Sequence, residues 1–410
     1  MLGLSAQARR VWNLGIEQDR FCLRYRPYRT GKRQEWPKPQ SRSQQLTEAR
    51  KYDDELREGV QVVQVQALRD LDKAFQDHFD NPKHFGRPTF RRKGDHEGFK
   101  FTHLNKAGRP SKLRKINHRW GEINVPKVGW VRFKLSRQWA SFADTAKSAR
   151  VKMDSVGRWH VSFPSPQPVV EREPTGAVIG IDRGVANTLG TSDGVFAHIP
   201  TLTTGEQERF LRLERQLARR HKGSNRYQAT RRKLGRLRCR LSDRRTDFIE
   251  QTTTRLVRDH DVIVLENLQI RNMVRSAKGT IANPGRNVAA KAGLNRAIYA
   301  QRWGEFATRL KAKADTCDVL VIKVPAPNTS RTCSNLDCQH ISANNRKNQA
   351  VFICEKCGHE QHADINAAIN IRERGMATIQ LAPARGHSGG RTQRPPGRSQ
   401  VNEASTSTAA

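Results

Sequence analysis

The chain has 410 residues and a formal net charge of +36 at pH 7, with 75 lysines and arginines against 39 aspartates and glutamates. A compact chain with this excess repels itself, so a polyanionic partner is expected. Nucleic acid is favoured over a polybasic membrane surface. No apolar run approaches the roughly 20 residues that span a bilayer, and the N-terminus predicts a helix rather than a signal peptide. We therefore expect a cytoplasmic, nucleoid-associated protein with no membrane partner.

The first part of the chain predicts helices. Residues 1–29 begin helically, and residues 30–45 form a polar loop. Apolar side chains then recur at helical spacing between Leu56 and Phe79, which predicts a longer helix that ends at Asn81.

A region of alternating side chains follows, from residue 98 to residue 163, as in Val131, Arg132 and Phe133. This period predicts half-buried strands in a small β-barrel or curved sheet, with basic side chains on the wet face. Such a surface can hold nucleic acid, with tryptophans as stacking platforms. The candidates are Trp120, Trp130 and Trp159, although a place in the core is the favoured interpretation for each.

An α/β pattern begins after a proline-rich stretch at 165–174. Two unbroken apolar runs end in Asp182 and Glu266, which predicts buried strands with a carboxylate at the sheet's rim, where α/β folds place their chemistry. Asp364 opens a short helix. The three carboxylates can converge into an all-oxygen site for Mg²⁺ or Mn²⁺, whereas Asp193 belongs to a tight hairpin turn.

Residues 206–256 predict a helical hairpin that breaks near Gly223. Leucines supply its core stripe, and its other faces are almost wholly basic. A solvated helix would interleave charges of both signs, so this pattern favours a surface that follows phosphates. The candidate nucleic-acid contacts are Arg231, Arg232, Lys233, Arg236 and Arg240.

The rest of the α/β region predicts a mobile loop at 277–293, one helix through Leu294 and Leu310, and a strand at 319–324. Residues 376–410 are rich in glycine, proline, serine and arginine. That composition predicts a disordered tail.

Four of the seven cysteines have metal-ligand spacing. Two paired-thiolate knuckles predict a tetrahedral zinc site, and a closed set of four thiolates leaves no position for a catalytic water, so the zinc is structural. The four ligands are Cys333, Cys338, Cys354 and Cys357. His340, His359 and His362 lie nearby in sequence and could replace a ligand, although a surface position or a nucleic-acid contact is favoured for them.

These pieces, in this order, resemble the TnpB family of transposon-encoded, RNA-guided DNA endonucleases, which are related to type V CRISPR effectors. The resemblance covers roughly residues 4–375. Its main motifs are Gly-Ile-Asp182-Arg-Gly, Val-Leu-Glu266-Asn-Leu, the four-cysteine ribbon and His-Ala-Asp364-Ile-Asn-Ala-Ala-Ile-Asn-Ile. Further matching pieces are Arg10-Val-Trp-Asn13, Gly86-Arg-Pro-Thr-Phe90, Gly157-Arg-Trp159 and Thr329-Ser-Arg-Thr-Cys333.

The resemblance implies an α/β plus β fold. An RNase H-like (RuvC) nuclease domain at 171–375, with a zinc ribbon inserted at about 328–361, would follow a wedge β-barrel with an inserted helical recognition region at 1–170. It implies a guide RNA from the transposon end and a double-stranded DNA target. Residue by residue, Asp182, Glu266 and Asp364 match the family's catalytic set, and the four cysteines match its zinc ligands.

Two departures from the family pattern stand out. Members usually begin with a basic β-strand, whereas this sequence starts inside the helix that follows it, and the first cysteine knuckle is spaced x4 where x2 is common. Three alternatives therefore stay open beside a guided nuclease: a carboxylate-triad transposase, a cleavage-impaired RNA-guided DNA-binding protein and a junction resolvase. A monomer or weak dimer is expected.

Overall fold

The structure is a computed structural model that describes residues 1–25, 39–95, 97–105, 108–165, 170–381 and 406–407. The described residues form two compact units, one reaching residue 165 together with 406–407, the other spanning 170–381. No helix in these ranges is long and apolar enough to cross a membrane.

The first unit begins with helices, and its α1 and α4 pack against each other. The bounds are α1 (Leu2–Tyr25), α2 (Pro39–Tyr52), α3 (Asp54–Glu58) and α4 (Gln61–Asp80). The polar loop expected over 30–45 is wrong from Pro39 onward, because proline is compatible with the first turn of a helix and good helix formers follow it. Residues 26–38 of that prediction lie outside the described residues. The helix expected between Leu56 and Phe79 is interrupted at Gly59, which caps α3.

The same unit then forms two antiparallel sheets. The strands are β1 (Gly98–Thr102), β2 (Leu113–Lys115), β3 (Trp120–Val125), β4 (Gly129–Lys134), β5 (Ser148–Met153) and β6 (Trp159–Ser162). One sheet has the strand order β1-β5-β6, and residues 406–407 pair with β6 at its edge. The other sheet has the order β2-β3-β4. One core of buried side chains joins them to α1 and α4. The strands of the described residues thus form two separate sheets, rather than the single closed β-barrel that was one of the two predicted arrangements.

The three tryptophans of this unit have different environments. Trp159 packs at 6.4 Å from the Phe99 ring and belongs to the edge of the core, as favoured from the sequence. Trp120 is half-buried. Trp130 is exposed, with the guanidinium of Arg114 at 4.2 Å from its ring centroid. Only Trp130 therefore departs clearly from a core position.

The second unit is built on a mixed five-stranded sheet of order β11-β10-β7-β8-β9. The strands are β7 (Val178–Asp182), β8 (Leu189–Thr191), β9 (Phe196–Ala197), β10 (Val262–Glu266) and β11 (Leu320–Val324). The first three are antiparallel neighbours, and β10 runs parallel to both β7 and β11. The predicted apolar runs thus become adjacent parallel strands at the centre.

Helices cover both faces of this sheet. The helices of this unit are α5 (Thr204–Ala218), α6 (Asn225–Asp259), α7 (Ile270–Met273), α8 (Val288–Ala300), α9 (Trp303–Ala314) and α10 (Ala363–Leu381). Side chains of α6 and α9 pack on one face through Ile249, Leu256, Phe306 and Leu310, and Ile371 of α10 packs on the other. Burial on both faces explains why β7 and β10 are apolar without alternation.

Three predictions about where elements of this unit begin and end are wrong. The loop at 277–293 ends earlier, because α8 starts at Val288. The single helix predicted through Leu294 and Leu310 is two helices, because Arg302 has a left-handed backbone with φ of 53°. Residues 376–381 continue α10 to Leu381 rather than beginning a tail. The rest of that tail lies outside the described residues, apart from 406–407, which pair with β6.

Candidate active site and metal centre

Two of the three predicted carboxylates end neighbouring parallel strands. Val262 to Leu265 of β10 pair in register with Val178 to Ile181 of β7, so the carboxylates of Asp182 and Glu266 emerge at the same edge of the sheet. Because the carboxyl ends of parallel strands meet at one edge, this placement follows from the two apolar runs.

The third carboxylate comes from α10, which lies across that sheet. Asp364 is the second residue of the helix. It approaches Gly190 of β8, where an added Cβ would be 3.2 Å from the Asp364 Cβ. Gly190 is paired in register with Asp182. The absence of a side chain at Gly190 therefore lets the helix carboxylate come close to the strand carboxylate.

All three carboxylates line one cavity of about 320 Å³. The other lining residues are Arg183, Gly184, Ala186, Leu268, Met273, Ala326, Thr329, Ser330, Arg346 and Gln349. The convergence expected from the sequence is thus present in the structure.

Hydrogen bonds fix the two most buried carboxylates, each 6% exposed. Glu266 accepts a bond of 2.5 Å from the Thr329 hydroxyl. Asp364 accepts a bond of 2.8 Å from the amide of Asn187 and pairs with the guanidinium of Arg346 at 3.3 Å. Each carboxylate therefore has an orienting partner from a different part of the chain.

The electrostatics of the cavity favour a bound cation. Burial, followed by the charges of Glu266 and Asp364, raises the pKa of Asp182 to about 7, against the opposing charge of Arg346. Burial also raises the pKa of Glu266, although the Thr329 hydrogen bond works in the other direction. Carboxylates held close together in a poorly solvated site repel one another, and a divalent cation relieves that repulsion.

The donor set fits a hard cation. The carboxylates are oxygen ligands of the kind that Mg²⁺ and Mn²⁺ prefer. Among the histidines, cysteines, aspartates and glutamates that the structure describes, only the four cysteines form a group of three or more whose ligand atoms all lie within 4.8 Å of one another. The carboxylates line one cavity but are more widely spread than the thiolates.

The four cysteines form a compact centre that could hold a metal ion such as zinc. The Sγ atoms of Cys333 and Cys357, and those of Cys338 and Cys354, are each 3.7 Å apart. Burial opposes ionisation of Cys354, but the backbone N–H groups of Cys357 and Lys356 lower its pKa to about 6. The centre lies beside a short hairpin of β12 (Val351–Ile353) and β13 (Glu360–His362).

The nearby histidines lie outside this sulfur cluster. His359 Nε2 is 3.1 Å from the Ser334 hydroxyl. His362 Nδ1 accepts the backbone N–H of Asp364 at 3.2 Å, and its ring lies 4.6 Å from that of Phe196. These two histidines thus have local structural partners, and His362 supports the start of α10.

Two asparagines tie the cysteine ribbon to α10. Asn366 accepts the N–H of Ser334 at 3.0 Å and donates to the carbonyl of Thr332 at 2.8 Å. Asn370 donates to the carbonyls of Thr329 and Thr332 at 2.9 and 2.7 Å. Their role was not predicted from the sequence, although two polar residues four apart inside an apolar helix were the available signal.

The partners of the carboxylates were also not predicted from the sequence. Asn187, Thr329 and Arg346 lie in irregular segments, where no periodicity indicates which way a side chain points. The resemblance included Thr329 only as part of a matching motif. Their roles become visible when the sheet, α10 and the ribbon are assembled.

The predicted basic hairpin is present, with α5 and α6 joined around Gly223 and Ser224 capping α6. Leu213, Leu234 and Leu237 form its core. All five predicted contact residues are exposed: Arg231, Arg232, Lys233, Arg236 and Arg240. They provide a cationic face, although Arg240 is also 3.8 Å from Glu206.

Comparison with known proteins agrees with this architecture. Residues 160–277 match the OrfB_IS605 family model, described as "Probable transposase", and residues 303–371 match the Cas12f1-like TNB domain model. The chain is 34% identical over 315 residues to "Putative RNA-guided DNA endonuclease InsQ" of Escherichia coli (strain K12), covering 77% of this chain and 74% of that protein. This chain belongs to the TnpB family.

Two further relatives extend the comparison of this TnpB-family chain. "Putative RNA-guided DNA endonuclease" of Streptomyces pristinaespiralis is 28% identical over 325 residues, covering 78% of this chain and 73% of that protein. The solved Cas12f1-sgRNA-target DNA complex contains a chain that superposes with a TM-score of 0.53 at 15% identity, covering 90% of this chain and 81% of that one. The TnpB-family chain therefore has a Cas12-like RuvC nuclease fold.

Proposed function

We propose that this protein is an RNA-guided, metal-dependent DNA endonuclease encoded by a transposon, which cleaves target DNA beside a short adjacent motif. The observation that carries the proposal is the convergence of Asp182, Glu266 and Asp364 on one cavity, in a chain 34% identical to a relative named as such an endonuclease. Guide–target pairing would read the sequence, and the protein would hold the heteroduplex by its backbone.

The three carboxylates would hold Mg²⁺ or Mn²⁺. When bound, these ions activate a water and stabilise the leaving oxygen of a phosphodiester. The chain's own residues prepare the site for them: Thr329 orients Glu266, and Asn187 orients Asp364. Arg346, which pairs with Asp364, lines the same cavity together with Arg183, so an incoming phosphate would meet cationic side chains there.

The remaining parts have supporting roles. Cys333, Cys338, Cys354 and Cys357 would hold a structural zinc, since a closed thiolate set has no open coordination position. The exposed cations of α5 and α6 would follow nucleic-acid phosphates. The first unit would form the wedge and recognition lobe, and the nuclease domain would continue through α10 to Leu381 rather than ending at residue 375.

The decisive experiment expresses the protein with its native 3′ flanking DNA. A transposon-end RNA should co-purify, RNase treatment should eliminate targeted cutting, and a changed guide segment should move the cut site. Asp182→Ala should abolish cutting and preserve DNA binding. Sequence-specific cleavage by RNA-free protein would overturn the proposal.

A second candidate is a strand-transfer transposase, which the description of the matched 160–277 family model favours. RNase H-like carboxylate sites serve both chemistries. The discriminating measurement uses labelled transposon ends. A transposase joins them to target DNA, whereas the proposed nuclease only cuts.

A further inference from the structure

A short loop between β7 and β8 carries the amide that contacts Asp364. The loop spans residues 183–188 and contains no helix or strand. Within it, Asn187 Nδ2 donates to Asp364 Oδ2 at 2.8 Å. Since no regular hydrogen-bond ladder holds this loop, the position of the Asn187 amide depends on the tertiary contacts of its neighbours.

Gln301 holds this loop on both sides of Asn187. Its Oε1 atom accepts the hydroxyl of Thr188 at 2.7 Å, and its Nε2 atom donates to the carbonyl of Val185 at 3.2 Å. The Thr188 hydroxyl oxygen in turn accepts the N–H of Ile199 at 2.8 Å, which leaves the hydroxyl proton for Gln301. The side chains of Gln301 and Thr188 are both buried, so a broken bond between them would leave polar atoms unsatisfied.

The backbone of Gln301 is itself fixed at the corner between α8 and α9. Its N–H donates to the carbonyl of Ile298 at 3.1 Å and closes α8. The next residue, Arg302, has a left-handed backbone, and its guanidinium donates to the hydroxyls of Ser242 and Thr246 in α6 at 2.5 and 2.9 Å. A non-glycine residue keeps such a backbone only where its surroundings hold it. The Gln301 side chain therefore reaches the loop from a firmly held point.

The shape of the loop transmits this hold to Asn187. Gly184 lies so close to it that a Cβ at Gly184 would be 2.8 Å from the Asn187 carbonyl oxygen. With residues 185 and 188 both bonded to Gln301 and the backbone folded tightly, the Asn187 amide has little freedom to move away from Asp364. Gln301 is not among the residues that line the carboxylate cavity, so its effect on the site must pass through the loop.

We propose that Gln301 is a positioning residue for Asp364 and acts through the amide of Asn187. Groups that orient a metal-binding side chain from behind typically change metal affinity by about 10–100-fold. The inference rests on the proposed function, because it takes Asp364 as a ligand of Mg²⁺ or Mn²⁺. The alternative is a purely structural role, in which Gln301 is a polar link between the α8–α9 corner and the sheet.

The test measures Mn²⁺ binding to full-length protein free of nucleic acid, from the electron paramagnetic resonance signal of the unbound ion. Binding at the site is the part that Asp182→Ala removes. The variants are Gln301→Met, which keeps the length of the side chain without its hydrogen bonds, Asn187→Ala, and the two together. The control is Thr253→Val, which removes a buried hydroxyl that donates to the Ile249 carbonyl at 2.7 Å, outside the cavity. Thermal unfolding of each variant is measured alongside.

Asn187→Ala should weaken Mn²⁺ binding by about tenfold or more, and Gln301→Met should weaken it several-fold. The double variant should lose no more affinity than Asn187→Ala alone, because two residues that act through one contact are not additive. The control should keep its Mn²⁺ affinity even though it, too, lowers the unfolding temperature. A structural role alone would move stability without this dependence on Asn187.

Losses that multiply in the double variant, or wild-type affinity in Gln301→Met, would overturn the inference and leave the metal site intact. Wild-type protein that binds no more Mn²⁺ than Asp182→Ala would overturn the metal site and the inference with it, so the two failures are distinguishable. If Gln301→Met does not fold, Thr188→Ser and Thr188→Val decide the matter. Serine keeps the hydroxyl and should retain Mn²⁺ affinity, whereas valine should lose it, and equal affinity of these two variants would reject the proposed role.

Discussion

Gly180 of β7 lies directly against the backbone of Ala368 in α10, so that a Cβ at Gly180 would be 2.1 Å from the Ala368 carbonyl oxygen. These residues are two before Asp182 and four after Asp364. Their close approach sets how near the helix, and therefore its carboxylate, lies to the strand.

Gly180→Val should force α10 away from the sheet. Because the obstructing atoms are backbone, we expect the free energy of unfolding to fall by about 1–3 kcal/mol, with loss of cleavage. Chemical denaturation measures the first effect. Gly205→Ala is the control, since nothing lies within 4 Å of that Cβ position, and it should leave stability nearly unchanged. Equal stability of the two variants would contradict this account of the packing.

Asp182→Asn should stabilise the protein in the absence of added Mg²⁺. Asp182 has its pKa raised from an ordinary value near 4 to about 7, so ionisation favours the unfolded state and wild-type stability falls as pH rises through that window. The advantage of the variant should be absent below about pH 4 and complete above pH 7, as measured by thermal unfolding. Mg²⁺ should then stabilise wild type more than the variant. The control is Asp193→Asn, in an exposed turn.

Thr329→Val should slow cleavage while leaving the overall fold intact. The change removes the hydrogen bond that orients Glu266, and a bond to a charged group contributes about 1.5–3 kcal/mol. We expect the rate to fall by roughly tenfold or more, with single-turnover cleavage as the measurement. Thr329→Ser keeps the hydroxyl and should retain most activity. A serine variant as slow as the valine variant would assign the effect to packing instead.

Cys354→Ser should remove bound zinc and expose the ribbon to protease. Metal-dependent folding accounts for both effects, since so short an insert has little core of its own. Elemental analysis and limited proteolysis measure them. Cys239→Ser, which changes a cysteine outside the sulfur cluster, should retain the metal. Purified wild type without zinc would refute the assignment.

Replacing Arg231, Arg232 and Lys233 by alanine should weaken nucleic-acid binding similarly for all sequences. The slope of log affinity against log salt should fall by roughly one to three units, about one for each phosphate that the variant no longer binds. Arg238→Ala is the matched control, because that cation is already paired with Glu214 at 3.1 Å. A sequence-dependent effect with an unchanged slope would mean that the hairpin reads bases.

The central strands of the nuclease unit were predictable, because two unbroken apolar runs are best explained as strands buried on both faces. Since these strands end in Asp182 and Glu266, the two carboxylates must lie at an edge of the sheet. The division between α8 and α9 was not predictable. Apolar spacing is continuous through it, and the break depends on Arg302, which bonds Ser242 and Thr246 of the distant helix α6. Arg346 was missed for the same reason: its contact with Asp364 exists only after the ribbon has folded.

The asparagine bonds between α10 and the ribbon have a consequence for how this segment can change. Asn366 and Asn370 hold the chain at Thr329, Thr332 and Ser334, so the polypeptide leaves and rejoins the nuclease unit at nearly the same place. The intervening residues are therefore anchored at both ends to the helix that carries Asp364, because the N–H of Ala363 also donates to the carbonyl of Ala350. Within this segment, Arg346 presents its guanidinium to Asp364. A ribbon grafted from a relative should therefore need a cation at that position as well as four cysteines.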